Sequence, residues 1–283
     1  MASGHIDHSK LSAAGLLVTL GIIYGDIGTS PLYVMSAIIG KNKIDETLVL
    51  GGLSCVFWTL TILTTFKYII LTLRADNKGE GGIFSLYALV RKMHIKWLAI
   101  PAMIGGAALL ADGIITPPIS VASAIEGLTT INPDIPTVPI VIGILFFLFF
   151  IQQFGTGFVG RFFGPVMLIW FSMLLVLGLK EIVQYPIVFK AINPYYAYQL
   201  LVNYHEGFWI LGSVFLCTTG AEALYSDLGH CGRKNIRVSW GFVKVALLAN
   251  YFGQGAWLLN HTGKVLGTVK PFYALMPDWF LIT

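Results

Sequence analysis

Gly25-Asp26-Ile27-Gly28-Thr29-Ser30-Pro31-Leu32-Tyr33 decides how this chain is read. The stretch lies inside an apolar segment long enough to form a membrane helix. It places an acid, two glycines, a proline and three hydroxyls where lipid-facing residues belong. Pro31 removes a backbone donor and clashes one turn back, so Gly-Thr-Ser-Pro predicts a break in the helix. Irregular backbone at membrane depth survives only where protein or a water-filled cavity surrounds it. The segment therefore marks a site.

Composition sets the surroundings. Hydrophobic residues make up 56% of the chain and charged residues 11%, against about 25% charged in a soluble domain. Mean hydropathy is +0.76. These values predict an all-α membrane protein with several spans. The net charge of +4 is modest, and the basic residues form no long run, so nucleic-acid binding has no support. Cys55, Cys217 and Cys231 include no C-x-x-C pair, which leaves neither a zinc ribbon nor a disulfide framework. The first apolar run lacks an A-x-A-like cleavage site and is not read as a signal peptide.

Seven long apolar segments follow one another, at roughly 11–39, 48–73, 98–128, 137–154, 162–186, 206–228 and 238–260. Residues 1–283 read as one transmembrane domain. It is expected to be incomplete, because a further apolar segment begins near Pro277. The third segment is rich in small residues, among them Gly105, Gly106, Ala107, Ala108 and Gly113, which predicts a central place in the bundle. Between the second and third, apolar positions 83, 84, 86, 87 and 90 recur at helical spacing. They predict a short amphipathic helix near 83–92 on the cytoplasmic surface.

Charge gives the orientation. With a cytoplasmic N-terminus, the inside receives Lys10, Arg74, Lys78, Arg91, Lys92, Lys96, Arg161, Arg233, Lys234 and Arg237. The outside receives Lys41, Lys43, Lys180, Lys190, Lys264 and Lys270. Ten against six satisfies the positive-inside rule.

Four acids fall inside apolar spans: Asp26, Asp112, Glu222 and Asp227. Each costs roughly 2.5–3.5 kcal/mol at the bilayer centre on insertion scales. At 1.5 Å per residue, Asp26, Asp112 and Glu222 lie about 22, 21 and 24 Å along their spans, near mid-membrane. Asp227 is nearer the cytoplasmic end. Hydroxyls accompany the three deep acids. Thr29, Ser30 and Tyr33 follow Asp26; Thr116 and Ser120 share a helix face with Asp112; Thr219 and Tyr225 flank Glu222. Hydroxyls, carboxylates and freed carbonyls are what a hard alkali cation needs in place of its water shell. No sulfur or imidazole is placed for a transition metal.

Taken singly, each feature has a plainer explanation. A membrane Thr or Ser usually bonds within its own helix or to a neighbour. Pro117-Pro118 can do no more than kink a helix, and Lys67 or Lys244 can serve as a structural partner for a buried acid. Three deep acids with hydroxyl neighbours are not explained that way together. The sixth span, with Cys217-Thr218-Thr219-Gly220-Ala221-Glu222, repeats the pattern of a glycine close before a deep acid. Two interrupted helices at matching places in inverted halves point to a transporter binding site.

The opening motif resembles the signature of the KUP/HAK/KT potassium transporters. Three further blocks agree with that family in order and spacing: Gly79-Glu80-Gly81-Gly82, the run from Ala111 to Gly127, and the run from Thr219 to His230. The resemblance implies a LeuT-type inverted-repeat core with broken first and sixth helices, of the amino acid–polyamine–cation superfamily. About seven of its helices would be present here. It further implies a multi-pass plasma-membrane protein that takes up potassium together with protons, needs no cofactor and allows a homodimer. Carried onto matching positions, the potassium ligands would be Asp26, Tyr33, Asp112, Thr116, Ser120, Thr219 and Glu222. A proton and a cation compete for a buried carboxylate. Glu222 is assigned the proton-linked role, and Asp26 that of a cation ligand sharing in the coupling. Two other functions fit less of the pattern. An amino-acid or polyamine carrier of the same fold would favour an acid-free break. An intramembrane aspartyl protease built on Asp26 and Asp112 would leave the hydroxyls and the third acid without a role.

Overall fold

In a lipid environment a segment must satisfy its own backbone, and helices do so without a partner. The computed structural model describes residues 11–93, 95–129, 132, 134–152 and 156–277. Among them the regular structure is helical, with only two isolated bridges, Lys43 with Val265 and Asn77 with Glu80. Lys10 and the apolar run from Asp278 onward lie outside the described residues.

The first span consists of α1 (Ala13–Ile23), α2 (Gly25–Thr29), a 3-10 turn at Ser30–Leu32 and α3 (Val34–Ile39). The second comprises α4 (Glu46–Thr59), a π-helical segment Leu60–Leu71 and a 3-10 turn Thr72–Arg74. Then come α5 (Ile83–Arg91), α6 (Ala99–Thr129), α7 (Thr137–Gln152), α8 (Thr156–Gln184) and the connecting helix α9 (Pro194–Asn203). The sixth span is α10 (Gly207–Phe215), a 3-10 turn Leu216–Thr218 and α11 (Ala223–Ser226). It leads through α12 (Leu228–Cys231) into α13 (Arg233–Leu259), and α14 (Pro271–Ala274) follows.

Helices occupy all seven predicted apolar segments. Four spans are long and apolar enough to cross a membrane, and the bent first span makes a fifth. The others fall short for visible reasons. The apolar run Thr137–Phe150 is short, and α13 is diluted by Ser239, Lys244, Asn250 and Gln254.

The core sits where α8 packs between α1 and α13. Gly178 of α8 meets Gly253 of α13 backbone to backbone: a Cβ on Gly253 would stand 2.6 Å from the Gly178 Cα. That approach buries Phe171, Leu174, Val243, Leu247 and Tyr251. In lipid no transfer from water drives such a contact, so these side chains hold the helices together by close van der Waals packing.

The central place expected of the third span is not seen among the described residues. The small-residue helix α6 lies at the edge of the described bundle, with Leu110 and Ile114 each 74% exposed. Its glycines do receive a neighbour, but it is α5: a Cβ on Gly105 would strike Ile83, and one on Gly106 would strike Phe84. Close packing there seats a short amphipathic helix and does not centre the span.

The first break also lies elsewhere than Gly-Thr-Ser-Pro implied. The chain bends by 71° between Ala13–Ile23 and Gly25–Leu32, at Tyr24 (φ −99°, ψ 16°). Pro31 opens a 3-10 turn in its first positions, where its missing donor costs nothing. Tyr24 is fully buried and its hydroxyl lies 3.1 Å from the Ile236 carbonyl, to which it donates, and 2.9 Å from Ser239 Oγ, both on α13.

Candidate functional site

The sixth span breaks by a different route. Thr219 turns extended (φ −55°, ψ 132°), and Gly220 takes the left-handed φ of +83°. A side chain there would be strained, and it would also have no space. A Cβ on Gly220 would lie 2.6 Å from Asp26 Cβ and 2.9 Å from the Ile27 nitrogen. The two breaks therefore touch, and Asp26 sits at their contact.

Glu222, two residues beyond Gly220, caps α11. Its carboxyl lies within hydrogen-bonding reach of the Asp112 carboxyl on α6, and Asp26 stands within electrostatic range of both. Two adjacent carboxylates repel unless a proton or a cation lies between them. Thr116 Oγ1 donates to Asp112 Oδ1 at 2.8 Å and is buried. Pro117 and Pro118 lie inside α6. Their missing donors leave the carbonyls one turn back, at Gly113 and Ile114, without helical partners.

One turn further along α6, Ser120 Oγ lies 3.0 Å from Thr29 Oγ1, which itself donates to the Asp26 carbonyl at 2.8 Å. Ser30 Oγ donates to the same carbonyl at 3.3 Å and lies 3.4 Å from the Tyr33 hydroxyl. Tyr33 in turn is within electrostatic range of Asp26 and Asp112. All seven predicted residues thus fall around one locus, in two linked groups. Asp112, Thr116 and Glu222 form the first. The first span, with Asp26 and Tyr33, meets Ser120 through Thr29 to form the second. Thr219 belongs to the backbone between them. Asp227 stands apart, 3.9 Å from His230 Nδ1. Among the described residues no three His, Cys, Asp or Glu side chains gather as a metal-holding group. The acids make a pair and a neighbour, with oxygens of other kinds around them.

Three supports escaped the sequence reading. Trp170 Nε1 on α8 donates to the Gly28 carbonyl at 2.9 Å. Gln254 Nε2 on α13 donates to the Pro31 carbonyl at 2.9 Å and to Asn250 Oδ1 at 2.8 Å. Asn250 and Gln254 are buried and one helical turn apart, a polar pair in an apolar helix that could have been noticed. Behind Glu222, the loop after the second span docks on the sixth, where Tyr225 donates its hydroxyl to the Ala75 carbonyl, and on the start of α13, where Arg233 pairs with Asp76.

A cavity of about 430 Å³ opens onto the acid pair, lined by Tyr68, Ala108, Asp112, Glu222 and Tyr225 among others. Neither Lys67 nor Lys244 forms an ion pair with any acid among the described residues, so the structural-partner explanation of the deep acids has no lysine to rest on.

Apolar spans, two touching helix breaks and acids paired at the breaks define an integral membrane protein with a polar site inside it. The chain belongs to the family described as the K+ potassium transporter integral membrane domain, whose model matches residues 13–283. It is 66% identical over 285 residues to a probable potassium transport system protein Kup of Flavobacterium psychrophilum, covering 99% of this chain and 44% of the relative. A protein of the same description from Cytophaga hutchinsonii is 66% identical over 280 residues, 97% of this chain and 42% of that one. Another, from Clostridium perfringens strain SM101, is 52% identical over 301 residues, 100% of this chain and 46% of the relative. The chain spans less than half the length of these relatives. No solved structure matches it.

Proposed function

We propose that this chain forms the ion-binding part of a carrier that takes up potassium across the cell membrane, together with protons, by alternating access. The observation that carries this reading is the Asp112–Glu222 carboxyl pair, set against Asp26 where the two breaks meet and open to a cavity. The Kup naming of the relatives supports potassium as cargo. Asp26, Tyr33, Asp112, Thr116, Ser120, Thr219 and Glu222 would supply the oxygens. The pair would hold either a proton or a potassium ion between its carboxyls, and that exclusivity would couple the two fluxes. Glu222 is the proton-linked member, because it alone rides on the short helix beyond the unwound break.

The inverted, LeuT-type arrangement of the first and sixth spans belongs to the same proposal, as do a cytoplasmic N-terminus and a homodimer. No cofactor is needed beyond the two transported ions. The acid within the first break favours a cation over an amino-acid cargo. Asp112 meets Glu222 at hydrogen-bonding reach, which fits an aspartyl protease built on Asp26 and Asp112 poorly.

Rubidium uptake into vesicles of the full-length protein, under an imposed pH gradient, is the test. Glu222→Gln should still bind rubidium but lose acceleration by the gradient. If Glu222→Gln keeps full proton-dependent uptake, the assignment is wrong.

A further inference from the structure

Lys67 is the one cationic side chain among those lining the cavity that ends on Asp112 and Glu222. Its ammonium makes no ion pair among the described residues. Instead it rests over the Tyr68 ring, 5.0 Å from the centroid. Such a contact is weak at a wet site, roughly 0.5–1 kcal/mol. The backbone beneath it is unusual. Leu60–Leu71 runs as a π-helix, where Thr65 Oγ1 donates to the Leu60 carbonyl at 3.2 Å and Thr72 Oγ1 to the Lys67 carbonyl at 2.7 Å. Wide turns of this kind are rare and recur at functional sites. Here the wide turn carries a lysine onto the wall of the chamber that holds the acids.

We propose that Lys67 is a tethered cation that competes with the transported ion for the Asp112–Glu222 pair, and so drives its release into the cavity. This rests on the cation-binding reading of the pair. An ammonium carries the same single charge as the alkali ion and offers three donors on a flexible four-carbon stem. Parked on Tyr68, it leaves the acids open. Swung toward them, it cancels one of the pair's two charges and repels a second cation in a chamber with low-dielectric walls. A lysine that only reaches for a lipid headgroup would have no influence on ion affinity.

The full-length protein in vesicles separates these roles through rubidium binding and net uptake. Lys67→Gln should bind rubidium on the order of fivefold tighter, within the usual range of coupling between sites, while net turnover falls because release slows. Lys67→Arg keeps the charge and should stay near the parent in both. Tyr68→Leu, which frees the ammonium, should bind rubidium more weakly, and it decides the matter if Lys67→Gln does not fold. Unchanged or weaker binding in Lys67→Gln overturns the proposal, as does tighter binding in Tyr68→Leu. A parent protein that neither binds nor takes up rubidium instead defeats the cation reading of the site itself.

Discussion

At the first break the chain bends by 71° yet stays helical on both sides of Tyr24, whereas at the second it unwinds through Thr219 and left-handed Gly220. The first is tied from outside itself: Tyr24 to α13, Gly28 to Trp170, Pro31 to Gln254. Among the described residues the second has fewer such ties, and its helical end is held to the loop at Ala75 through Tyr225. Asp26 therefore stands on a braced wall, while Glu222 stands on a short helix whose hinge is one glycine. On the proposed reading, that difference suits Asp26 to the role of fixed ligand and Glu222 to that of a moving, proton-linked one.

Three substitutions probe this contrast. Gly220→Ala attacks the unwound break. Positive φ costs an alanine roughly 1–2 kcal/mol, and the clash with Asp26 adds a similar amount. The expected loss is about 2–4 kcal/mol in thermal unfolding of the detergent-solubilised protein, with uptake abolished. An alanine variant of parental stability would show that the breaks do not touch. Gln254→Leu attacks the bracing of the first break. It strands the Pro31 carbonyl in a buried place and should cost about 1–3 kcal/mol. Rubidium affinity should fall with it, because the turn carrying Ser30 and Tyr33 loosens; stability loss without affinity loss would uncouple brace from site. Trp170→Phe removes one neutral hydrogen bond to the Gly28 carbonyl while keeping the ring. About 1 kcal/mol is expected, read as a small drop in melting temperature with uptake preserved.

The spans, their order and the deep acids could be read from the sequence because burying an acid or a glycine-proline pair in lipid is costly wherever it occurs. The candidate residues of α6 could be grouped for the same reason, since hydroxyls at helical spacing share a face with Asp112, and Thr116 bonds to it. The exact place of the first bend could not. Pro31 tolerates the start of a 3-10 turn, so the visible breaker is harmless and the bend moves to Tyr24, whose anchor lies about two hundred residues away on α13. The small residues of α6 report close packing without naming the partner, which among the described residues is α5. Thr29 lay in view within the opening motif, yet its role needs Ser120 beside it, and only the fold supplies that.

Gly178 and Gly253 have a consequence for mechanics. Two helices whose backbones touch have no cushion of side chains between them to shear. At that contact helices α8 and α13 are expected to move as a single girder. A load on that girder would reach its joints, and Tyr24, hydrogen-bonded to α13 and in edge contact with Phe171 of α8, is such a joint. A bulky residue at either glycine would act as a wedge in the girder and disturb the candidate site from a distance, with none of its residues altered.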